Sequence, residues 1–295
     1  MKKTIINKSV DGRYICYGEI LGKGAYKIVH RGYDTHNGIE VAWNSINYSH
    51  LSEHGLETIM NEINILEEIS PSNTFIVDLF DAWIDEKSTN IILITEIALS
   101  GTLLDYMHNS KINMKIIKKW CTQLLRVINF LHINKIVYRD LKLNNILYNA
   151  NTGNILLCDF GLANKCEHVL NDVVGTPRYM APEIYYGNYD EKVDIWSFGM
   201  CMLELITGEM PYINNPLGTI YKNVTSGVLP SIINKIKNIK SKNIIFSCLH
   251  KDPMLRPSAE ELLNNSFFVD TSSDISESMC LKITDGIQYS IYRNL

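Results

Sequence analysis

Residues 138–145 read Tyr-Arg-Asp-Leu-Lys-Leu-Asn-Asn, and this stretch decides both the fold and the chemistry of the chain. It places a carboxylate (Asp140), an ammonium group (Lys142) and an amide (Asn145) on one short loop. Transfer of a phosphoryl group needs such a set: a carboxylate that orients the attacking hydroxyl, a cation near the moving charge, and an oxygen ligand for magnesium. A polar surface turn has a similar composition, so the interpretation needs support from elsewhere in the sequence.

Three further motifs supply that support. Gly22-x-Gly24 lies between two predicted strands, Asp159-Phe160-Gly161 follows a strand-like run at 155–157, and Ala181-Pro182-Glu183 comes after it. A lone Gly-x-Gly is weak evidence because glycine loops are common, whereas four motifs in this order and spacing are specific. Asp159 is predicted to chelate the magnesium that bridges the phosphates of ATP. The sequence therefore predicts ATP and Mg²⁺ as the cofactors.

The residue pattern predicts an α+β fold with two lobes. Strand-like alternation fills most of the first hundred residues, with one helical stretch at 55–69, and the chain beyond is mostly helical. In the tail, Asp285-Gly286 separates two alternating runs, which predicts a hairpin. The predicted parts are an N-terminal extension (1–13), a small β-rich N-lobe with one main helix (14–98), a larger helical C-lobe (99–269), and a linker with a hairpin-like C-terminal tail (270–295).

Charge and composition exclude several classes of partner. The formal net charge of -4 gives no reason to expect binding to nucleic acid or to a membrane surface. The longest apolar run, 195–206, is interrupted by Ser197 and Glu204 and is too short to span a membrane. The seven cysteines contain no CxxC pair, and the first ten residues lack the apolar core of a signal peptide. We therefore expect reduced thiols in a cytoplasmic protein.

Together the four motifs resemble the eukaryotic protein kinases over roughly residues 14–269. Lys142, two residues after Asp140, is the pattern of serine/threonine kinases. The resemblance implies that Asp140 orients the substrate hydroxyl, that Asn145 and Asp159 bind magnesium, and that the substrate is a protein. It also implies two structural contacts: Asp194 with the backbone of the catalytic loop, and Arg256 with Glu183.

The same resemblance implies a site for adenine between the lobes. Thr95 lies at the gatekeeper position, and backbone groups of Glu96 and Ala98 are expected to bind the base. Val29 and Ala42 are expected to sandwich its ring. The residues implied for nucleotide binding are Leu21, Gly22, Gly24, Lys27, Val29, Ala42, Thr95, Glu96, Ala98, Asn145 and Asp159.

One position departs from the kinase pattern. Kinases carry Val-Ala-x-Lys on the third strand, and that lysine binds the α- and β-phosphates and pairs with a helix glutamate. Here the run is Val41-Ala42-Trp43-Asn44, and a neutral amide cannot neutralise phosphate. The glycine loop carries Lys27 where its third glycine belongs. The two departures compensate if Lys27 reaches the phosphate site from the second predicted strand, where Glu62 is the expected helix partner.

This pair of substitutions resembles the WNK ("with no lysine") kinases. Further stretches are similar to that family: Asp34-Thr35, Val41-Ala42-Trp43, Thr95-Glu96, Ser100-Gly101-Thr102-Leu103 and the run 198–204. The resemblance implies that Asp140, Lys142, Lys27 and Glu62 are the catalytic residues. It also implies a substrate that is itself a protein kinase acting on ion cotransporters, in osmotic or ion-homeostasis signalling. The tail from about 279 is weakly similar to the start of the family's autoinhibitory module.

Two regulatory features follow from the WNK resemblance. The family binds an inhibitory chloride beside the position of Phe160 and Gly161, but Phe160 is bulkier than the usual leucine, so the site is either present or filled. Leu79, Leu93 and Leu162 match the other pocket positions. The family's activating serine is replaced by Asp172, and residues 162–174 contain no Ser, Thr or Tyr. We expect Asp172 to pair with Arg139 in a bidentate manner and to make phosphorylation unnecessary; the alternative is that Asp172 is a solvated carboxylate and control lies elsewhere.

Two other classes of protein remain open at this point. A pseudokinase or scaffold would bind nucleotide without efficient catalysis, and Asn44 favours that interpretation. The intact Asp140, Asn145 and Asp159 argue against it. An ordinary kinase with a degenerate third strand would not explain Lys27. The sequence therefore predicts an active kinase of the WNK type.

Overall fold

The computed structural model describes residues 4–24, 27–49, 51–110, 112–166 and 169–269. The N-terminal part contains β1 (Ile5–Lys8), β2 (Tyr14–Lys23), β3 (Lys27–Asp34), β4 (Ile39–Asn47), α1 (Glu53–Ile69), β5 (Leu79–Asp85) and β6 (Asn90–Glu96). The C-terminal part contains α2 (Leu103–Asn109), α3 (Met114–Ile133), β7 (Ile136–Val137), β8 (Ile146–Asn149), β9 (Asn154–Leu157), β10 (Asn164–Lys165), α4 (Lys192–Thr207), α5 (Leu217–Ser226), α6 (Ile239–Cys248) and α7 (Ala259–Leu263). The predicted tail hairpin lies outside the described residues.

The N-lobe is a six-stranded antiparallel sheet in the order β1-β2-β3-β4-β6-β5. Side chains alternate between two buried faces, because α1 covers one face and the sheet curls over the other. The curl is visible in the stack of Tyr14 on Trp83, whose ring centroids are 6.1 Å apart although β2 and β5 are not neighbours. Trp43 completes this aromatic cluster with an edge contact to Trp83.

The sheet contains a strand, β1, that the sequence does not predict. β1 lies within the stretch 1–13 that was predicted as an extension, and it pairs with β2 at the edge of the sheet. Its four residues are all exposed and show no alternation, so only the pairing defines it. As a consequence Lys27 lies on the third strand of the sheet, not on the second, and Asn44 lies on the fourth.

The single N-lobe helix is confirmed, and it begins two residues earlier than predicted. The Ser52 side chain caps α1 by accepting a hydrogen bond from the Gly55 N–H. The apolar face of α1, which includes Ile59 and Ile63, packs on the sheet. Glu62 lies between these residues and is also buried, so the helix carries a carboxylate into the interior.

The C-lobe is built around α4, which is buried along nearly its whole length as its composition predicts. Gly199 allows α6 to approach closely, because a Cβ at this position would lie 2.7 Å from the Cβ of Cys248. Arg256 forms the predicted pair with Glu183 through two hydrogen bonds, at 2.5 and 2.8 Å. Within the described ranges, none of the helices has the length and apolar character needed to cross a membrane.

Candidate active site

The catalytic loop is held by one buried carboxylate from α4. The backbone N–H groups of Tyr138 and Arg139 donate to the two carboxylate oxygens of Asp194, at 2.9 and 2.8 Å. The Nε2 atom of His132 lies 3.0 Å from the same carboxylate. Arg139 has a positive φ of 68°, a strained conformation for a non-glycine residue. The predicted contact of Asp194 is therefore present, and it stabilises the backbone that presents Asp140.

The Asp140 carboxylate has three side-chain partners. Lys142 donates to Oδ2 at 2.6 Å, Asn145 donates to the same oxygen at 3.1 Å, and the Thr176 hydroxyl donates to Oδ1 at 2.7 Å. Lys142 also lies 2.9 Å from the Thr176 hydroxyl. Gly175 makes this approach possible, since it has a φ of 116° and its Cβ would lie 2.8 Å from the Arg139 carbonyl oxygen. Asp140 and Lys142 are thus assembled with Thr176, which lies 36 and 34 residues further along the chain.

Asn145 and Asp159 lie on adjacent backbone segments. The N–H of Cys158, which precedes Asp159, donates to the Asn145 carbonyl at 3.0 Å. The Asn145 amide nitrogen faces Asp140, so its amide oxygen points away from that carboxylate. An amide oxygen and a carboxylate are the hard oxygen ligands that Mg²⁺ prefers. The donor set therefore fits the predicted metal.

Lys27 and Glu62 form an ion pair across the N-lobe. The Lys27 ammonium lies 3.7 Å from a Glu62 carboxylate oxygen, and the side chain of Glu62 is only 7% exposed. Burial alone would lower the pKa of Lys27, but the carboxylates of Glu62 and Asp159 outweigh it and raise that pKa. Burial raises the pKa of Glu62, and Lys27 opposes this effect. Lys27 therefore keeps its positive charge in a half-buried position near Asp159.

Asn44 does not take part in this charge cluster. Its side-chain amide is buried and donates to the Leu93 carbonyl at 3.1 Å, to the Thr95 hydroxyl at 3.1 Å and to the Ala42 carbonyl at 3.3 Å. The contacts with Leu93 and Thr95 join β4 to β6. The residue at the usual lysine position therefore contributes hydrogen bonds to the sheet.

The positions implied for adenine binding lie mainly on four strands that neighbour one another in the sheet, β2, β3, β4 and β6. Gly22 pairs with Val29 between β2 and β3, and Ala42 pairs with Thr95 between β4 and β6. Leu21 is 38% exposed on β2, near the glycine loop. Glu96 ends β6, and Ala98 follows it. Residues 25 and 26 of the glycine loop lie outside the described ranges.

Phe160 fills the position that the family's chloride pocket would border. Its side chain is fully buried and packs edge-on against Tyr138, with ring centroids 5.1 Å apart. The backbone N–H of Phe160 interacts with the Glu62 carboxylate, which lowers the pKa of that group against the stronger effect of burial. The Glu62 carboxyl group thus already occupies this N–H donor.

The predicted bidentate pair of Arg139 and Asp172 does not form. One guanidinium nitrogen lies 3.5 Å from one Asp172 oxygen, and the Asp172 side chain is 61% exposed. Arg139 is turned instead toward the carbonyl of Leu162 and the hydroxyl of Tyr189. Sequence reasoning missed Tyr189, because it lies 17 residues beyond Asp172 and belongs to no motif.

Comparison with known proteins identifies the family. The model of the protein kinase domain matches residues 16–268. The serine/threonine-protein kinase WNK8 of Arabidopsis thaliana is 40% identical over 267 residues, which cover 88% of this chain and 47% of that protein. The probable serine/threonine-protein kinase WNK10 of the same plant is 39% identical over 277 residues, which cover 91% of this chain and 52% of that protein.

A third relative has a length closer to that of this chain. The probable serine/threonine-protein kinase WNK5 of Oryza sativa subsp. japonica is 37% identical over 274 residues, which cover 90% of this chain and 83% of that protein. By contrast, the chain spans about half the length of the two Arabidopsis relatives. On the domain match, the identities and the coverage, the chain belongs to the protein kinase family and, within it, to the WNK serine/threonine kinases.

Proposed function

We propose that the chain is an ATP-dependent kinase that phosphorylates serine and threonine hydroxyls of proteins. The observation that carries the proposal is the Asp140 carboxylate, which contacts Lys142, Asn145 and Thr176 in one assembly. Lys27, Glu62 and Asp159 form a second charged group in the same protein. A scaffold without catalytic activity would require neither of these two groups of residues.

Each residue has a part in the proposed reaction. Asp140 orients the attacking hydroxyl and accepts its proton, and Lys142 offers a positive charge close to that point. Lys27 neutralises the phosphates from β3, and Glu62 holds its ammonium in place. Asn145 and Asp159 would hold magnesium, which supplies further neutralisation of charge when bound. Most of the rate enhancement would come from positioning and electrostatics.

The direct test is transfer of radiolabelled phosphate from ATP to a generic protein substrate. The wild type should label serine and threonine, as phosphoamino-acid analysis would show. Asp140→Asn should remove the labelling while nucleotide binding persists, because the neutral amide cannot accept the proton. Nucleotide binding without labelling by the wild type would favour the pseudokinase or scaffold instead.

The biological setting rests on the family alone. We infer that the substrate is another protein kinase, in ion or osmotic signalling in the cytoplasm, because that is what the WNK resemblance implies. Incubating the protein with candidate substrate kinases and mapping the modified residues by mass spectrometry would test this step. Labelling of generic proteins but of none of these kinases would argue against it.

A further inference from the structure

The Arg139 side chain is 6% exposed and joins the catalytic loop to the segment that follows Asp159-Phe160-Gly161. Its Nε donates to the Leu162 carbonyl at 2.6 Å. One terminal nitrogen donates to the Tyr189 hydroxyl at 3.2 Å. The Tyr189 hydroxyl in turn donates to the Asp172 carbonyl at 2.7 Å. A chain of buried and partly buried hydrogen bonds thus runs from the residue before Asp140 to residue 172.

The backbone around Tyr189 is bonded to the same segment. The Leu170 N–H donates to the Tyr189 carbonyl at 3.0 Å, and the N–H groups of Asn188 and Tyr189 donate back to the Leu170 carbonyl at 2.9 and 3.0 Å. The Tyr189 ring is 3% exposed and lies in the main core of the C-lobe. Residues 170–172 are therefore fixed to a residue that is itself fixed by packing.

The Asp172 side chain contributes much less to holding residues 170–172 in place. Its single contact with Arg139 is long, and its carboxylate is mostly exposed, so solvent and salt weaken the attraction. A buried hydrogen bond to a charged group is stronger than such an exposed pair, and its loss leaves a buried donor with one partner fewer. The geometry therefore places the phenol, and not the carboxylate, in the position that holds the segment.

We propose that Tyr189 is a positioning residue that orders residues 169–175 against the catalytic loop, so that this segment needs no phosphate. In many kinases a phosphate on this segment pairs with the arginine that precedes the catalytic aspartate. Here residues 162–174 contain no Ser, Thr or Tyr. The Tyr189 hydroxyl accepts a hydrogen bond from this arginine, Arg139, instead. The proposal deepens the proposed kinase activity and rests on it.

Hydrogen–deuterium exchange tests the ordering without any assay of catalysis. Tyr189→Phe keeps the ring and removes only the hydroxyl, so amides in residues 169–175 should exchange about tenfold faster than in the wild type. Asp172→Ala should change exchange much less. The matched control is Tyr186→Phe, since Tyr186 lies three residues away and is 67% exposed. Unchanged exchange in Tyr189→Phe, or a larger effect in Asp172→Ala, overturns the proposal.

Kinetics then separate positioning from general destabilisation. For Tyr189→Phe, kcat/KM for the protein substrate should fall about tenfold, whereas Kd for Mg·ADP should stay within about twofold because the nucleotide site is not contacted. The wild type, treated with phosphatase and confirmed by mass spectrometry as unmodified at 162–180, should keep its activity. Loss of activity on that treatment, or an equal weakening of ADP binding in Tyr189→Phe, overturns the proposal. A wild type that transfers no phosphate at all refutes the kinase function and leaves the exchange result as the test of the ordering.

If Tyr189→Phe does not fold, Arg139→Met probes the other end of the same hydrogen bond. Arg139 lies beside the catalytic aspartate, so for this variant only the exchange of residues 169–175 is informative. Faster exchange there supports the connection between the two residues. Exchange equal to that of the wild type contradicts it.

Discussion

At the scale of the residue, Asn44 has a structural role at the position where kinases normally carry a lysine. Its amide donates to acceptors on β4 and β6 and is almost completely buried. The sequence predicts that Asn44 cannot neutralise phosphate, but not that its amide donates a hydrogen bond to the Thr95 hydroxyl. That contact depends on the pairing of β4 with β6, which brings residues 49 and 51 positions apart into contact.

We therefore expect Asn44→Ala to cost stability rather than activity. Removing the amide leaves buried acceptors on Leu93 and Thr95 without this donor, which should lower the free energy of unfolding by about 1–3 kcal/mol. The kcat should stay within about threefold of wild type, because no phosphate contact is lost. Denaturant unfolding and steady-state kinetics measure the two effects.

Asn47→Ala is the matched control for this prediction. Asn47 lies on the same strand and also contacts a threonine hydroxyl, that of Thr89, but it is exposed at the far end. Loss of the Asn47 side chain should change neither the free energy of unfolding nor kcat appreciably. A fall in kcat for Asn44→Ala as large as that of a phosphate-binding residue would show that the role of Asn44 has been misread.

At the scale of the element, α1 and the segment around Phe160 decide whether an anion can bind. The helix position of Glu62 was predictable from its register in the run 61–66, whereas its interaction with the Phe160 N–H required the lobes to be assembled. Chloride would have to compete with the Glu62 carboxyl group for this N–H donor. The Phe160 ring, buried against Tyr138, reduces the space further.

We propose that the family's chloride site is lost in this chain. Neither the rate of autophosphorylation nor Tm should change when chloride replaces gluconate at constant ionic strength. Phe160→Leu tests the steric part of the argument, because it restores the family's usual residue and opens space at the same N–H group. Inhibition of the wild type by chloride, with a matching rise in Tm, would contradict the proposal.

At the scale of the whole molecule, α4 carries a second buried acid besides Asp194, and the proposed chemistry does not use it. Glu204 on α4 is fully buried and accepts a hydrogen bond from the Tyr179 hydroxyl at 2.5 Å. Its other oxygen has no hydrogen-bond partner among the described residues. Burial raises the pKa of Glu204 to about 7. The sequence shows Glu204 only as an interruption of an apolar helix, so its burial could not be assigned without the packing.

This pKa has a consequence for stability with a definite sign. The folded-state pKa lies above the ordinary value of 4.5, so the folded protein holds the proton more tightly than the unfolded chain. The contribution to stability is complete below about pH 4.5 and is lost as pH rises to about 7. The rise of the pKa from 4.5 to about 7 corresponds to about 3 kcal/mol in the free energy of unfolding. Glu204→Gln, which can still accept from Tyr179, should therefore be more stable than wild type at pH 8.

Thermal unfolding from pH 5 to 8 measures this effect. The difference in Tm between Glu204→Gln and wild type should grow with pH, reaching roughly 5–10 °C at pH 8. Glu209→Gln serves as the control, because the Glu209 side chain is 40% exposed and pairs with Lys235 at the surface. A difference that does not depend on pH would show that Glu204 is not the titrating group.

The sequence also predicts the two-lobed architecture and most of the candidate site, for a physical reason. Asp140, Lys142 and Asn145 act within one short loop, so their spacing along the chain already limits their spacing in space. β1 was missed because its four exposed residues show no alternation, and Tyr189 because its partner Arg139 lies 50 residues away in the chain. Patterns of local spacing carry no information about such contacts.

The most direct test of the central claim is the turnover number of Lys27→Met. Lys27 is the half-buried ammonium that pairs with Glu62, and its loss should lower kcat about 100-fold or more, as for other preorganised charges. Lys23→Met is the matched control, an exposed lysine on the neighbouring strand, and it should remain close to wild type. Melting temperatures would confirm that both variants are folded at the assay temperature. A Lys27→Met protein that is folded and turns over at near the wild-type rate would contradict the account.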